Sequence, residues 1–221
     1  MTRRQDKAKN PLARADWIGA ARDILIAEGI QGLGLRRLAA RLKVTTGAFY
    51  WLYGNFEELL AELLEHWRVE NSRHFDLVFD DPALDSRAKY LRYVRVLFDA
   101  TLYDPAYDGA IRDWARSSPE ALRVLTLVDD RRTAQLQRMY EGFGYTGPAA
   151  LVRAQMAYFH QVGYYAVGYS ETPDQRLAKI PYYAELVCPG IIPLDIALPE
   201  LKALIFGADQ RSSVTGPTGT A

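Results

Sequence analysis

Between its breakers the chain places apolar residues three and four positions apart, as amphipathic helices do, and nowhere shows the alternation of a half-buried strand. The first such stretch starts at Pro11, with Ala13, Trp17, Ala20, Ile24 and Ala27 on one stripe and Arg14, Arg22 and Glu28 off it. Gly29 is placed to end it. A second helix, Leu35 to Leu42, gathers Leu35, Leu38, Ala39 and Leu42 on one face behind Gly34 as N-cap. A tight turn through Lys43 and Val44 leads to Thr45, an N-cap for a third short helix ending near Leu52, and Gly54 and Asn55 then break and recap the chain.

One long helix is predicted from Asn55 to about Phe79, apolar at Phe56, Leu59, Leu60, Leu63, Leu64 and Trp67 and acidic at Glu57, Glu58, Glu62 and Glu65. Its span, on the order of 35 Å, is enough to join two domains. Further helices are predicted at Ser86 to Tyr103, Tyr107 to Ser117, Pro119 to Phe143, Pro148 to Ser170 and Pro173 to Cys188, the last bent or interrupted at Pro181, with a short apolar segment at Glu200 to Phe206. The predicted class is all-α. Residues 1–55 form an N-terminal three-helix unit, 56–206 a larger helical domain, and 207–221 a tail expected to be disordered because it lacks core residues.

Composition sharpens this reading at one end only. The formal net charge is zero, yet from Met1 to Asn55 ten Lys and Arg oppose four Asp and Glu. The first quarter therefore carries a surplus of six positive charges and the remainder an equal negative one, which points to a polyanion partner for the N-terminal region. The single cysteine, Cys188, offers no intrachain disulfide, no apolar leader follows MTRRQDKAKNP, and no apolar run approaches the length of a membrane span. A reduced cytoplasmic setting, with no membrane partner, is the expectation.

The two short helices joined by a tight turn describe a helix-turn-helix, with Leu38, Ala39, Leu42, Ala48 and Phe49 inward. Thr46, Gly47, Tyr50 and Trp51 then face outward, surrounded by Arg36, Arg37, Arg41 and Lys43, a surface suited to phosphates and base edges. An ordinary helical hairpin with solvated arginines has the same spacing.

The run LRRLAARLKVTTGAFYWLYGNFEELLAELL, preceded by the helix ending AEGI, resembles the DNA-binding region of the tetracycline-repressor (TetR) family of bacterial transcriptional regulators. The resemblance spans about Ala13 to Leu64. It implies a recognition helix at Thr45 to Leu52, with Thr46, Gly47 and Ala48 against bases, Tyr50 and Trp51 against bases or backbone, and Arg36 also reaching DNA. The family often has a phosphate-binding lysine where this chain has Phe56; the capped terminus at Asn55 and the Tyr53 hydroxyl are its possible substitutes. The resemblance further implies a homodimer joined by the segment ALVRAQMAYFHQVGYYAVGYS and the helix after Pro173, operator DNA as partner, and a small-molecule effector. A buried helix within one subunit is the alternative for that segment.

The aromatics Tyr90, Tyr93, Phe98, Tyr103, Tyr107, Trp114, Tyr140, Tyr158 and Phe159 are candidates to line a cavity for an apolar or aromatic ligand, although plain core accounts for most such residues. Tyr93, Phe98, Trp114, Tyr140, Tyr158 and Phe159 are the candidate ligand contacts. The wide apolar face of the Ser86 helix, polar only at Lys89, Arg92, Arg95 and Asp99, suits a pocket-lining central helix. His66, His74 and His160 stand far apart with no ligand spacing, so no metal or cofactor is expected. No nucleophile elbow, Walker loop or catalytic triad pattern is visible, and an enzyme is not expected. The expected function is a ligand-responsive homodimeric repressor. The alternative is a helical ligand-binding or scaffold protein whose N-terminal hairpin binds protein.

Overall fold

The computed structural model describes residues 12–207, and within them the chain is helical with no strand. The expected tail from 208 onward, and the basic residues Arg3, Arg4, Lys7 and Lys9, lie outside the described residues. The helices are α1 (Arg14–Gly32), α2 (Leu35–Leu42), α3 (Phe56–Phe79), α4 (Ser86–Phe98), α5 (Pro105–Ala115), α6 (Pro119–Glu141), α7 (Gly147–Ala166), α8 (Pro173–Ala178), α9 (Ile180–Val187) and α10 (Leu198–Phe206), with a 3₁₀ segment at Thr46–Trp51.

These elements divide into two compact units. One comprises the described residues up to Arg68 with Ala106–Val124; the other comprises Val69–Pro105 and the described residues from Leu125 onward. The boundary expected between residues 55 and 56 is therefore displaced into α3. The first half of that helix is needed by the first core, where Leu59, Leu63 and Trp67 are fully buried and the Tyr107 hydroxyl donates to the Leu63 carbonyl at 3.0 Å.

In the first unit, α1 buries Trp17, Ile18, Ala20, Ala21, Ile24 and Leu25, while Ala13 and Ala27 of the expected stripe are exposed. Its start is closed by the Asp16 carboxylate, which accepts from the Ala13 N–H at 2.7 Å. Gly29 breaks it as expected, at φ +69° and ψ −177°, a conformation essentially reserved for glycine, and a further turn runs to Gly32. Helix α2 follows the predicted bounds and buries Leu38 and Ala39. It ends with Lys43 in the left-handed region at φ +58°, the Val44 N–H reaching the Ala39 carbonyl and the Lys43 N–H the Ala40 carbonyl. This Schellman closure makes the tight turn. The third element is a 3₁₀ segment, where an α-helix was expected: Thr45 makes no side-chain cap, Gly47 weakens the first turn, and six residues hold too few α-type bonds to propagate.

The second unit is built on a core that includes Phe75, Tyr93, Tyr103, Leu136 and Tyr140. Helix α4 is capped by Asp85, whose carboxylate accepts from the Ala88 N–H at 2.7 Å. It stops at Phe98, short of the expected Tyr103, because the Asp99 carboxylate turns the chain by accepting from both the N–H and the hydroxyl of Thr101. Helix α7 likewise ends at Ala166, ahead of Gly168 at φ +63°. The predicted helix over Pro173 to Cys188 is two helices broken at Lys179, since Pro181 cannot supply the N–H that would continue α8. Thr172 and Gln175 close α8 with a reciprocal capping box. Cys188 is buried, and that burial pushes its thiol upward in pKa, away from reactivity.

Two glycines of α1 give opposite expectations. Nothing lies within 4 Å of a methyl group added at either Gly19 or Gly29. Gly19→Ala sits in the helix interior and should stabilise the protein by about 0.5–1 kcal/mol. Gly29→Ala should destabilise it by about 1–3 kcal/mol through backbone strain alone. Chemical denaturation of the two variants checks both signs.

Candidate nucleic-acid interface and regulatory cavity

The first candidate site is the outer surface of the 3₁₀ segment, and Phe49 sets its orientation. Its ring is fully buried, edge-on to Trp17 at 5.3 Å and stacked on Tyr53 at 4.9 Å. With Phe49 drawn inward, Tyr50 stands 62% exposed and Trp51 90% exposed, and Thr45, Thr46 and Gly47 are exposed beside them. Ala48 is half-buried. Arg36, Thr46 and Tyr50 line a common surface groove of about 580 Å³ with the glycine-containing link before α2. Sequence-predicted residues separated by a turn are thus brought to one surface.

The charges around this groove are unequal in availability. Arg37 pairs with Glu28, and Arg41 with Asp23 at 2.7 Å. Among the described residues Arg36 and Lys43 have no such partner. Among the described residues theirs are the charges left open around this groove, and the surplus read from the sequence is correspondingly reduced at this surface.

Tyr53 corrects an expectation. It is 1% exposed, with its hydroxyl 3.5 Å from the Arg14 carbonyl and the Arg14 guanidinium over its ring at 4.4 Å. Burial, with the nearby Glu62 charge, pushes its hydroxyl upward in pKa, so it stays a neutral core ring that cannot reach a phosphate. Arg14 also donates to Glu58, Glu62 and the Leu52 carbonyl, each at 2.6 Å, tying α1 to the start of α3. The Gly54 N–H and then Arg14 hold the Glu58 carboxyl below its ordinary range. Asn55 caps α3 as read, its side-chain oxygen accepting from the Glu58 N–H at 2.8 Å. Phe56, at the position of the family's lysine, packs toward Phe49 with ring centres 6.3 Å apart.

The second candidate site is a cavity of about 180 Å³ inside the second unit, lined from α4 (Tyr90, Tyr93, Val94, Leu97, Phe98), α7 (Met156, Ala157, His160, Gln161, Tyr164), α8 (Arg176) and α9 (Ile180, Tyr183, Leu186, Val187). Of the six expected ligand contacts, only Tyr93 and Phe98 line it. Trp114 belongs to the other unit, and Tyr140 is fully buried core. Tyr158 is buried and bonds Asp129 at 2.6 Å, while Phe159 projects outward at 60% exposed. Sequence reasoning missed Gln161 and Arg176. One signal was present: Gln161 is one of two amides, with Gln155, on a helix otherwise apolar almost all round, and it lies four residues from Ala157.

The α7 and α9 surfaces also expose Val152, Met156, Phe159, Tyr182 and Leu186, an apolar set that the described residues leave uncovered. Among the described residues, no helix is long and apolar enough to cross a membrane.

Residues 18–63 match the family model of bacterial regulatory proteins, tetR family. The tetracycline repressor protein class A from transposon 1721 of Escherichia coli is 33% identical over 142 residues, which cover 64% of this chain and 61% of that protein. The chain thus matches under two thirds of the length of this curated relative. Among solved structures, a candidate transcriptional regulator from Pseudomonas aeruginosa PAO1 is 20% identical with a TM-score of 0.66, covering 80% of this chain and 90% of that one. A TetR-family transcriptional regulator from Marinobacter aquaeolei VT8 is 14% identical with a TM-score of 0.63, covering 87% and 98%. The structural neighbours share the fold, and the helix-turn-helix region at residues 18–63 is similar to that of the TetR family of bacterial transcriptional regulators.

Proposed function

We propose that the protein is a homodimeric repressor that binds an operator in double-stranded DNA through the 3₁₀ segment and releases it when a small molecule enters the cavity of the second unit. The observation that carries the DNA reading is the presentation of Tyr50 and Trp51 on a segment anchored by Phe49, beside an Arg36 with no partner among the described residues. Two exposed aromatic rings cost solvation unless something covers them, and the adjoining free guanidinium suits a phosphate or a guanine edge. Thr45, Thr46, Gly47 and Ala48 are proposed to approach the bases, Gly47 leaving room for close contact. A cytoplasmic location and the absence of a catalytic role are part of the same reading.

The homodimer reading rests on the apolar surface of α7 and α9. A two-fold axis would pair this face with itself, burying Val152, Phe159 and Tyr182 of each copy. Coupling between ligand and DNA is proposed to pass along α3, whose residues are divided between the two units. Such coupling is reciprocal and typically amounts to about 5- to 150-fold in affinity. An effector found by thermal-shift screening should therefore lose the same factor in affinity when operator DNA is added. Equal affinities with and without DNA would remove the effector role.

Arg36→Ala and Tyr50→Ala should weaken duplex binding while leaving the melting temperature nearly unchanged, because both side chains face outward. For Arg36→Ala the slope of log affinity against log salt should fall by about 1, as when one phosphate contact is lost. Fluorescence anisotropy across a salt series measures both effects. Little binding of any duplex at any salt would favour the protein-binding scaffold instead. Tyr53→Ala should act in the opposite way, losing about 3–5 kcal/mol of stability as a truncated core aromatic.

Light scattering at micromolar concentration should give a dimer. Phe159→Glu should shift it to monomer, since each buried aromatic contributes about 1.5–3 kcal/mol and symmetry counts the loss twice, an effect of about 100-fold or more on dissociation. A wild-type monomer would refute the interface.

A further inference from the structure

We propose that the cavity of the second unit takes a small aromatic monocarboxylate, its ring among the cavity's aromatic side chains and its carboxylate on Arg176 and the amide of Gln161. The inference rests on reading that cavity as the effector site and adds the chemistry of the effector. Size is the first constraint. An apolar cavity of about 150 Å³ holds one benzene ring, so the observed volume of about 180 Å³ admits one ring with a short substituent. Drug-sized ligands need roughly 300 Å³ or more.

Polar groups supply the second constraint. Gln161 is 3% exposed, and its Oε1 accepts from the Tyr93 hydroxyl at 2.9 Å, which fixes the amide with Nε2 as the free donor. That Nε2 has no hydrogen-bond partner among the described residues. An acceptor on a ligand in the cavity would give this donor a partner.

Charge is the third. Arg176 is held flat by rings, with Tyr164 at 4.2 Å and Phe98 at 4.5 Å from the guanidinium carbon, and it donates to the Tyr165 hydroxyl at 3.0 Å. Its other bond, to the Leu97 carbonyl, is long at 3.5 Å. Among the described residues no carboxylate pairs with it. Glu171 is taken by Lys179, and Asp174 by Lys202. A guanidinium offers five N–H groups in a planar fork, so donors remain for a bidentate carboxylate. His160, which also lines the cavity and lies 4.2 Å from the Tyr183 ring, adds no competing charge: partial burial, then the Arg176 and Lys179 cations, lower its pKa and favour the neutral imidazole. The cavity thus presents one guanidinium that no carboxylate among the described residues pairs directly, although the Glu171 charge acts on it, and one amide donor without a partner there, inside aromatic walls. A cationic ligand would be repelled, and a neutral ring would leave both groups unanswered.

Calorimetric titration of the full chain with phenylacetate and with its near-isostere phenylacetamide tests the charge requirement without any variant. Phenylacetate is expected to bind about tenfold or more tightly than the amide, the scale of one charge-assisted hydrogen bond. In Arg176→Gln the acid and the amide should converge, and Arg176→Lys, which keeps the charge and loses the fork, should retain part of the preference. Gln161→Leu should weaken the acid by severalfold. Ala157→Phe, which fills the cavity, should abolish binding of both, with folding of every variant checked by circular dichroism. Equal binding of acid and amide to the wild-type protein would overturn the carboxylate inference and leave the effector cavity standing. Binding of neither at millimolar concentration, or binding that survives Ala157→Phe, would overturn the inference together with the cavity as effector site.

Discussion

The burial of Phe49 between Trp17 and Tyr53 is the interaction on which the proposed DNA-facing surface depends. A six-residue 3₁₀ segment has too few internal bonds to hold itself, so its orientation must come from an anchor in the core. Phe49 is that anchor, and the residues on either side of it follow from its direction. Tyr50 and Trp51 are exposed because the short segment turns them away from the ring that is buried. Tyr53, one turn later, returns to the core and stacks beneath Phe49. Arg14 closes the arrangement from α1 by covering the Tyr53 ring and bonding both acids at the start of α3. These surface ion pairs contribute little energy singly; their value is geometric, since one guanidinium joins two helices and a loop carbonyl.

The same economy appears in the second unit, where Arg176 plays a corresponding part. It is stacked on aromatic rings and joined to α4 through the Leu97 carbonyl, yet unlike Arg14 it has no acid partner among the described residues. The contrast separates a structural arginine from one whose charge is left open. Met156 and Leu186 line the cavity and also belong to the exposed α7 and α9 surface, so a partner copy on that face would cover residues of the cavity wall. Cavity and proposed association face are therefore not independent within this unit.

Much of the chain's local structure was legible in its order of residues, because helix starts and stops depend on near neighbours. Gly34, Asn55, Asp85, Thr172 and the prolines at Pro119 and Pro173 act over three or four positions, and the helices begin where these residues stand. The outward set Thr46, Gly47, Tyr50 and Trp51 was legible for the same reason, once Phe49 was taken as inward. Ends set by side-chain bonds across a turn were less so, as the early stop of α4 at Asp99 and Thr101 shows.

By itself, then, the sequence determined the helical class, most breaks between helices, the family that the N-terminal helix-turn-helix resembles and the residues it exposes. Only the tertiary structure decided that Tyr53 is core, that Arg37 and Arg41 are engaged while Arg36 has no partner among the described residues, and which side chains meet in the cavity. The physical reason is distance along the chain. Tyr93 and Gln161 are 68 positions apart and Arg176 and Leu97 are 79 apart, and helical periodicity states only which face of a helix is apolar. Which other face it meets, and which polar group is left there without a partner, follows from packing alone.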